Sequence, residues 1–317
     1  MTSVLYIGGY GRGGSTLLDI LLGSHPRVLG GGELEMFFKD VVADGTCSCG
    51  RRYADCPVWG EVLAALRAEV DGFDADEVAT TLASLESTRG AVVGADFDTR
   101  RRYGRVWRQF FDSAARRTGS NVVVDSSKSS RGSSGRVRLL MREAGLDVTV
   151  IHLMRDPRAV LYSERRRGNN DRLESDNKAR FLLGGAFRPL IGWTMANVAV
   201  SVLRRRHPKL RVVRVRYEDL MADPRRELER IGDATGLDLS VVIKRIECGD
   251  SFDPGHGVRG NRMRRSGPVR IRFDDQWTRE LSWMHRAAAV PFAPVARFYG
   301  YDLLRRPQPL PGLGPNR

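Results

Sequence analysis

The feature that most constrains this chain is its beginning, where Val4-Leu5-Tyr6-Ile7 runs directly into Gly8-Gly9-Tyr10-Gly11-Arg12-Gly13-Gly14 and then into Ser15-Thr16-Leu17-Leu18. A short β-branched and aromatic run favours a strand, and an apolar run after a turn favours a helix that covers a sheet. Five glycines between them let the backbone turn closely. The first amides of a helix have no carbonyl partner of their own, and the helix dipole makes that end positive. A Gly-rich turn into a helix is therefore a cradle for a phosphate or another anion.

Three further runs repeat the pattern of the first. Val122–Val124, Val148–Leu153 and Leu210–Val215 alternate with helical segments, and each is followed by polar or Gly-rich residues. The arrangement predicts an α/β fold of three layers, a central parallel sheet with helices on both faces. Ligands in such sheets bind beyond the carboxyl ends of the strands, so the segments after these runs are the candidate functional ones. At 317 residues the chain is expected to form one domain over 1–304. Residues 57–119 would be a helical insertion that shapes an acceptor pocket, and the Pro- and Gly-rich 305–317 would be a disordered tail. Within the insertion, Thr99–Arg117 interleaves arginines with Tyr103, Val106, Trp107, Phe110 and Phe111. This pattern reads first as an amphipathic helix with its aromatics in the core, and second as an acceptor-binding or membrane-surface helix.

Three kinds of phosphate loop compete for the first turn. A kinase-like loop needs a lysine before the hydroxyl residue, but Gly14 is followed directly by Ser15. A dinucleotide fingerprint is matched by Gly9, Gly11 and Gly14, with Glu33 near the distance of a ribose-binding carboxylate; Leu29–Leu34 reads, however, as a turn rather than the end of a second strand. The third kind is the 5′-phosphosulfate loop of sulfotransferases, which Arg12-Gly13-Gly14-Ser15-Thr16-Leu17-Leu18 resembles, with Gly13 where many members have Ser. Ser24-His25-Pro26 followed by Gly32-Glu33 is similar to the stretch that carries the acceptor-activating Glu in tyrosylprotein and bacterial sulfotransferases. Arg155-Asp156-Pro157, with Ser163 eight residues after the Arg, resembles the family's 3′-phosphate motif, although Asp-Pro can also simply start a helix. Val215–Leu220, with Tyr217, and His256–Arg264, with Asn261 and Arg264, match the family less tightly. The matched segments lie in the family's order over residues 4–264.

The resemblance implies a donor, 3′-phosphoadenosine 5′-phosphosulfate, and an acceptor hydroxyl. Gly11, Arg12, Gly13, Gly14, Ser15 and Thr16 would hold the 5′-phosphate. Arg155, Ser163 and Arg264 would hold the 3′-phosphate, while Tyr217 and Asn261 would lie near the nucleotide. Glu33 would be the base, and Arg12 and Lys128 would stabilise the sulfuryl and bridging oxygens. A helix N-terminal role for Glu33 is the plainer alternative. Lys128 follows the second run, in Asp125-Ser126-Ser127-Lys128-Ser129, and is one of five lysines in a chain whose positive charge is otherwise arginine. The chemistry itself requires no metal.

The net charge of +14 attracts anions of any kind. It keeps two other functions open, a kinase with a degenerate loop, and a non-catalytic nucleic-acid-binding protein without a recognised reading module. The expected partner is a small-molecule, carbohydrate or glycolipid acceptor rather than nucleic acid, with peripheral membrane contact open. Met1–Ile7 lacks the build of a signal peptide, and Leu190–Leu203 reads as a buried helix, too short to span a bilayer, so the expected location is cytoplasmic. Cys47, Cys49 and Cys56 crowd together in a way that suggests zinc. Their spacing is unusual, and Cys248 and His256 lie far along the chain, so the assignment there is no metal, with a buried or redox-labile cluster as the alternative.

Overall fold

The computed structural model describes residues 2–129, 135–167 and 185–305. Five strands, β1 (Ser3–Gly8), β2 (Val28–Gly30), β3 (Val122–Asp125), β4 (Asp147–Met154) and β5 (Arg211–Arg216), form one sheet in the order β2-β3-β1-β4-β5. All four pairings are parallel. β2 is a correction to the expectation of a turn at Leu29–Leu34. Its three residues are too few to show a period, and it is a strand because it pairs with β3, Val28 opposite Val122 and Gly30 opposite Val124.

The inner strands β1, β3 and β4 are largely apolar on both sides, as a covered parallel sheet requires, while the edge strand β5 carries Arg211, Arg214 and Arg216. Val4 and Tyr6 of β1, Val123 of β3 and Val148 and Val150 of β4 face a core built with Trp59, Trp107, Phe110 and Phe111. Leu5 and Ile7, Val122 and Val124, and Ile151 and Leu153 face the opposite core, with Leu18, Leu21, Leu220 and Leu228. Helices Trp59–Glu69 and Phe97–Thr118 thus lie on one face, and Ser15–Gly23, Tyr217–Ala222 and Pro224–Thr235 on the other. The three-layer α/β expectation holds. Tyr103, Val106, Trp107, Phe110 and Phe111 are all buried, so the arginine-rich helix puts its aromatics into the core, where Trp59 stacks on Phe110 at 5.6 Å.

The helix Phe187–Arg206 departs from expectation. Leu190, Trp193, Asn197 and Val200 are buried, but Ile191, Met195, Val198 and Val202 are exposed, so only one face packs. Among the described residues no helix is long and apolar enough to cross a membrane. Residues 306–317 of the expected tail lie outside the described residues.

The chain leaves β1 towards β2 and leaves β4 towards β5, in opposite directions. The ligand crevice of such sheets therefore falls outside the carboxyl ends of β1 and β4.

Candidate active site

The Gly-rich loop leaves β1 at that point and leads into the helix Ser15–Gly23. Gly9 has φ +125°, and a Cβ there would sit 2.2 Å from the Leu153 carbonyl oxygen of β4. Gly14 has φ +94° and caps the helix Ser15–Gly23; a Cβ on it would strike the Tyr217 ring at 2.4 Å. Glycine is required at both places by backbone geometry and by close approach. Ser15 and Thr16 are buried at the first helical positions, where amides point outward without helical partners.

Two groups of side chains flank the loop, one on each side of β1. On the β2–β3 side stand Glu33 and Lys128, joined by an ion pair between the Lys128 ammonium and the Glu33 carboxylate. Both are largely buried, with side-chain exposures of 22% and 16%. Glu33 starts a short 3-10 helix, Leu34–Met36, but its side chain does not cap it. The plainer helix-start role for this carboxylate is therefore not the one it plays here. Its backbone is fixed instead: Glu33 N–H donates to Val258 O at 2.8 Å, and Val258 N–H to Gly31 O at 2.8 Å. The polar turn after β3 clamps the same region. Ser126 N–H donates to Gly32 O at 2.8 Å, and Ser129 N–H donates to Gly9 O at 2.9 Å. Lys128 itself has φ +70°, and its carbonyl accepts from the Tyr6 hydroxyl.

On the β4 side stands Arg155, buried at the end of the strand. Its guanidinium lies 4.5 Å from the centre of the Tyr217 ring, donates to Arg12 O at 3.3 Å and Asp274 O at 3.1 Å, and lies 3.6 Å from the Asp274 carboxylate. Its buried Nε has no hydrogen-bond partner among the described residues, a donor facing no acceptor. Tyr217 also stacks on Phe273 at 6.2 Å. Burial pushes the Tyr217 hydroxyl pKa up, against the opposing charge of Arg155, so the phenol stays neutral near pH 7. Ser163 is half-buried in the helix Pro157–Arg167 that follows Arg155. Arg12, with φ +65°, pairs with Glu164 of that helix at 3.5 Å. Its charged group is thus engaged with the helix that follows β4.

A third element closes over the loop. Asn261 N–H donates to Thr16 Oγ1 at 3.1 Å, and the Asn261 side chain accepts from Met263 N–H at 3.3 Å. Arg264 is buried and ion-paired with Asp19, and donates to Pro254 O at 3.1 Å. Its Nε has no partner among the described residues. Asp19 was not singled out by sequence reasoning. Fully buried, it accepts from Gly32 N–H at 3.0 Å as well as from Arg264, so one carboxylate ties the loop helix, the turn before Glu33 and the closing segment together. Burial raises its pKa, and Arg264 opposes the rise. The available signal was an acid in an otherwise apolar helix, Ser-Thr-Leu-Leu-Asp-Ile-Leu-Leu-Gly. Glu164 and Asp274, which hold Arg12 and Arg155, carried no signal of their own.

The arrangement places a Gly-rich turn into a helix between a buried arginine, with a donor unused among the described residues, and a paired carboxylate and ammonium. The model of the sulfotransferase family matches residues 5–240. Carbohydrate sulfotransferase 6 of Homo sapiens is 26% identical over 175 residues, which are 50% of this chain and 40% of that protein. The matched stretch thus spans well under half of that relative. Among solved structures, the sulfotransferase domain from the Synechococcus PCC 7002 olefin synthase superposes with a TM-score of 0.50 at 21% identity, covering 95% of each chain. The sulfotransferase domain from the curacin biosynthetic pathway gives 0.47 at 17% identity, covering 92% of this chain and 98% of that one.

Proposed function

Since the chain belongs to the sulfotransferase family, we propose that it moves the sulfuryl group of 3′-phosphoadenosine 5′-phosphosulfate to a hydroxyl of a carbohydrate, lipid or other small acceptor. The observation that carries the reading is the Glu33–Lys128 pair beside the phosphate loop, with Arg155 across the loop from it.

The acceptor oxygen attacks sulfur, and the bond from sulfur to the bridging oxygen of the 5′-phosphate breaks. Glu33 takes the hydroxyl proton. Lys128, ion-paired with that carboxylate, neutralises charge on the departing bridging oxygen. Charge spreads over peripheral oxygens in such a transfer, so fixed positive groups at the loop dominate the rate. The amides of Gly11 to Thr16 receive the 5′-phosphate. Arg12 serves the sulfuryl oxygens; its pair with Glu164 is partly exposed and weak enough to exchange for a sulfate oxygen. Arg155, held flat by Tyr217 and with Nε unused, receives the 3′-phosphate together with Ser163. Asn261 and Arg264 close the loop, and Arg264 acts chiefly through Asp19.

The test is release of adenosine 3′,5′-bisphosphate from the phosphosulfate donor in the presence of a panel of sugar, glycolipid and phenolic acceptors. Glu33→Gln should lower turnover roughly 10²-fold or more while donor affinity changes little. Unchanged turnover in that variant removes Glu33 as the base. No release with any acceptor, beside ATP-dependent transfer that needs magnesium, overturns the reading in favour of a kinase.

A further inference from the structure

We propose that Cys47, Cys49, Cys56 and His256 form a structural zinc site. Chain distance argued against His256 as a fourth ligand, but the fold brings it to the three thiols. The three sulfurs and a ring nitrogen of His256 all lie within 4.8 Å of one another. Cys49 Sγ lies 3.8 Å from Cys56 Sγ, and His256 Nδ1 lies 3.3 Å from Cys56 Sγ and 3.9 Å from Cys47 Sγ. Zinc bonds of about 2.3 Å to sulfur and about 2.0–2.1 Å to nitrogen give tetrahedral edges of about 3.8 Å between sulfurs and about 3.6 Å between sulfur and nitrogen. The first separation matches and the other two bracket the second.

The donor set selects the ion. Three thiolates and an imidazole suit zinc and not the oxygen-seeking magnesium or calcium. Four protein ligands leave no open position, so the site is structural rather than catalytic.

The surrounding backbone is built as a clasp. Thr46 and Arg52 form an antiparallel bridge, Cys47 N–H donates to Arg51 O at 2.9 Å and Gly50 N–H to Cys47 O at 3.0 Å, with Gly50 at φ +84°. This tight turn presents Cys47 and Cys49 together. The segment that carries His256 is held against it: Ser48 N–H donates to Gly257 O at 3.2 Å, Ser48 Oγ to Gly255 O at 2.6 Å, and the Trp59 indole to His256 O. Cys47 and Cys56 are buried, whereas Cys49 is exposed.

The site has a consequence for the crevice. Two residues after His256, Val258 pairs with Gly31 and Glu33, and the same segment continues to Asn261 and Arg264. Zinc therefore pins the base of the segment that positions Glu33 and covers the loop, joining parts of the chain some 200 residues apart.

Zinc content after expression in zinc-supplemented medium and thorough desalting tests the inference, together with the absorption of the cobalt-substituted chain. Metal content is independent of what the neighbouring site transfers, so this result and the transferase assay fail separately. The expected result is about one zinc per chain and, with cobalt, the sulfur-to-metal charge transfer and intense visible bands of a tetrahedral thiolate site. Cys56→Ser and His256→Ala should fall to background zinc. His256→Cys should retain the metal with a red-shifted cobalt spectrum, which separates loss of a ligand from loss of the fold. In the zinc-bound chain only Cys248 should react readily with a thiol reagent. A folded, metal-free chain with all its thiols reactive, a Cys49–Cys56 disulfide in the freshly purified protein, or an unaltered cobalt spectrum in His256→Ala would each overturn the assignment.

Discussion

At the scale of single residues, the buried charges matter most for stability. Arg136, wholly buried, pairs with Asp125 at 2.7 Å and with Glu86, while Tyr103 Oη donates to Glu86 at 2.7 Å and Trp107 lies under the guanidinium at 3.9 Å. This network ties the end of β3 to the helix Phe97–Thr118. Glu86→Ala leaves half of the guanidinium's charge pairing undone in a low-dielectric core and should cost about 3–5 kcal/mol of unfolding free energy. Equilibrium denaturation measures it, and a loss under about 1 kcal/mol would mean the network carries little. The candidate site residues were easier to foresee than these. Lys128, Arg155 and Tyr217 follow strands legible in the sequence, where a ligand site belongs, whereas Glu33 follows a strand read as a turn and stood out as a base only through the family resemblance. Asp19 and Arg264 form a pair across 245 positions, and Cys56 meets His256 across 200. No local pattern encodes such pairings, because they depend on how the segment after Asp253 folds back over the sheet.

At the scale of elements, the strands with four or more alternating or β-branched residues declared themselves, while β2, with three residues, needed its neighbour to exist. The helix Phe187–Arg206 shows the converse: its apolar length was plain, but the half that packs depends on β4. There His152, buried on that strand, bonds Asn197 Oδ1 through Nε2 at 2.8 Å. Burial, more than the nearby Arg214, pushes the His152 pKa from 6.5 down to about 4, although the Asn197 bond opposes it. As pH falls, the unfolded chain takes up the proton first. The contribution is complete above pH 6.5 and is lost progressively down to about pH 4. It amounts to roughly 3 kcal/mol at most. His152→Gln should therefore lose less stability than the wild-type chain over that window, which chemical denaturation at a series of pH values checks. Parallel pH profiles for the two proteins would show that His152 does not titrate on unfolding.

At the scale of the whole molecule, the Gly-rich loop and the buried Arg155 lie together at the carboxyl ends of β1 and β4 in a protein of net charge +14. Such a field attracts any multiply charged anion, so in the proposed function the choice of donor rests on the residues around the loop. A sheet with this strand order and this loop accommodates many phosphorylated ligands. In the proposed function the group that distinguishes a 3′-phosphate is Arg155, whose buried Nε lacks an acceptor among the described residues. The measurement that tests this most directly is calorimetric titration with adenosine 3′,5′-bisphosphate beside ADP, without divalent cations, for the wild-type chain and Arg155→Ala. The expected result is preferential binding of the bisphosphate and a loss of roughly 10-fold or more in Arg155→Ala that removes most of the preference. Equal affinity for ADP, or a preference that survives in Arg155→Ala, would contradict it.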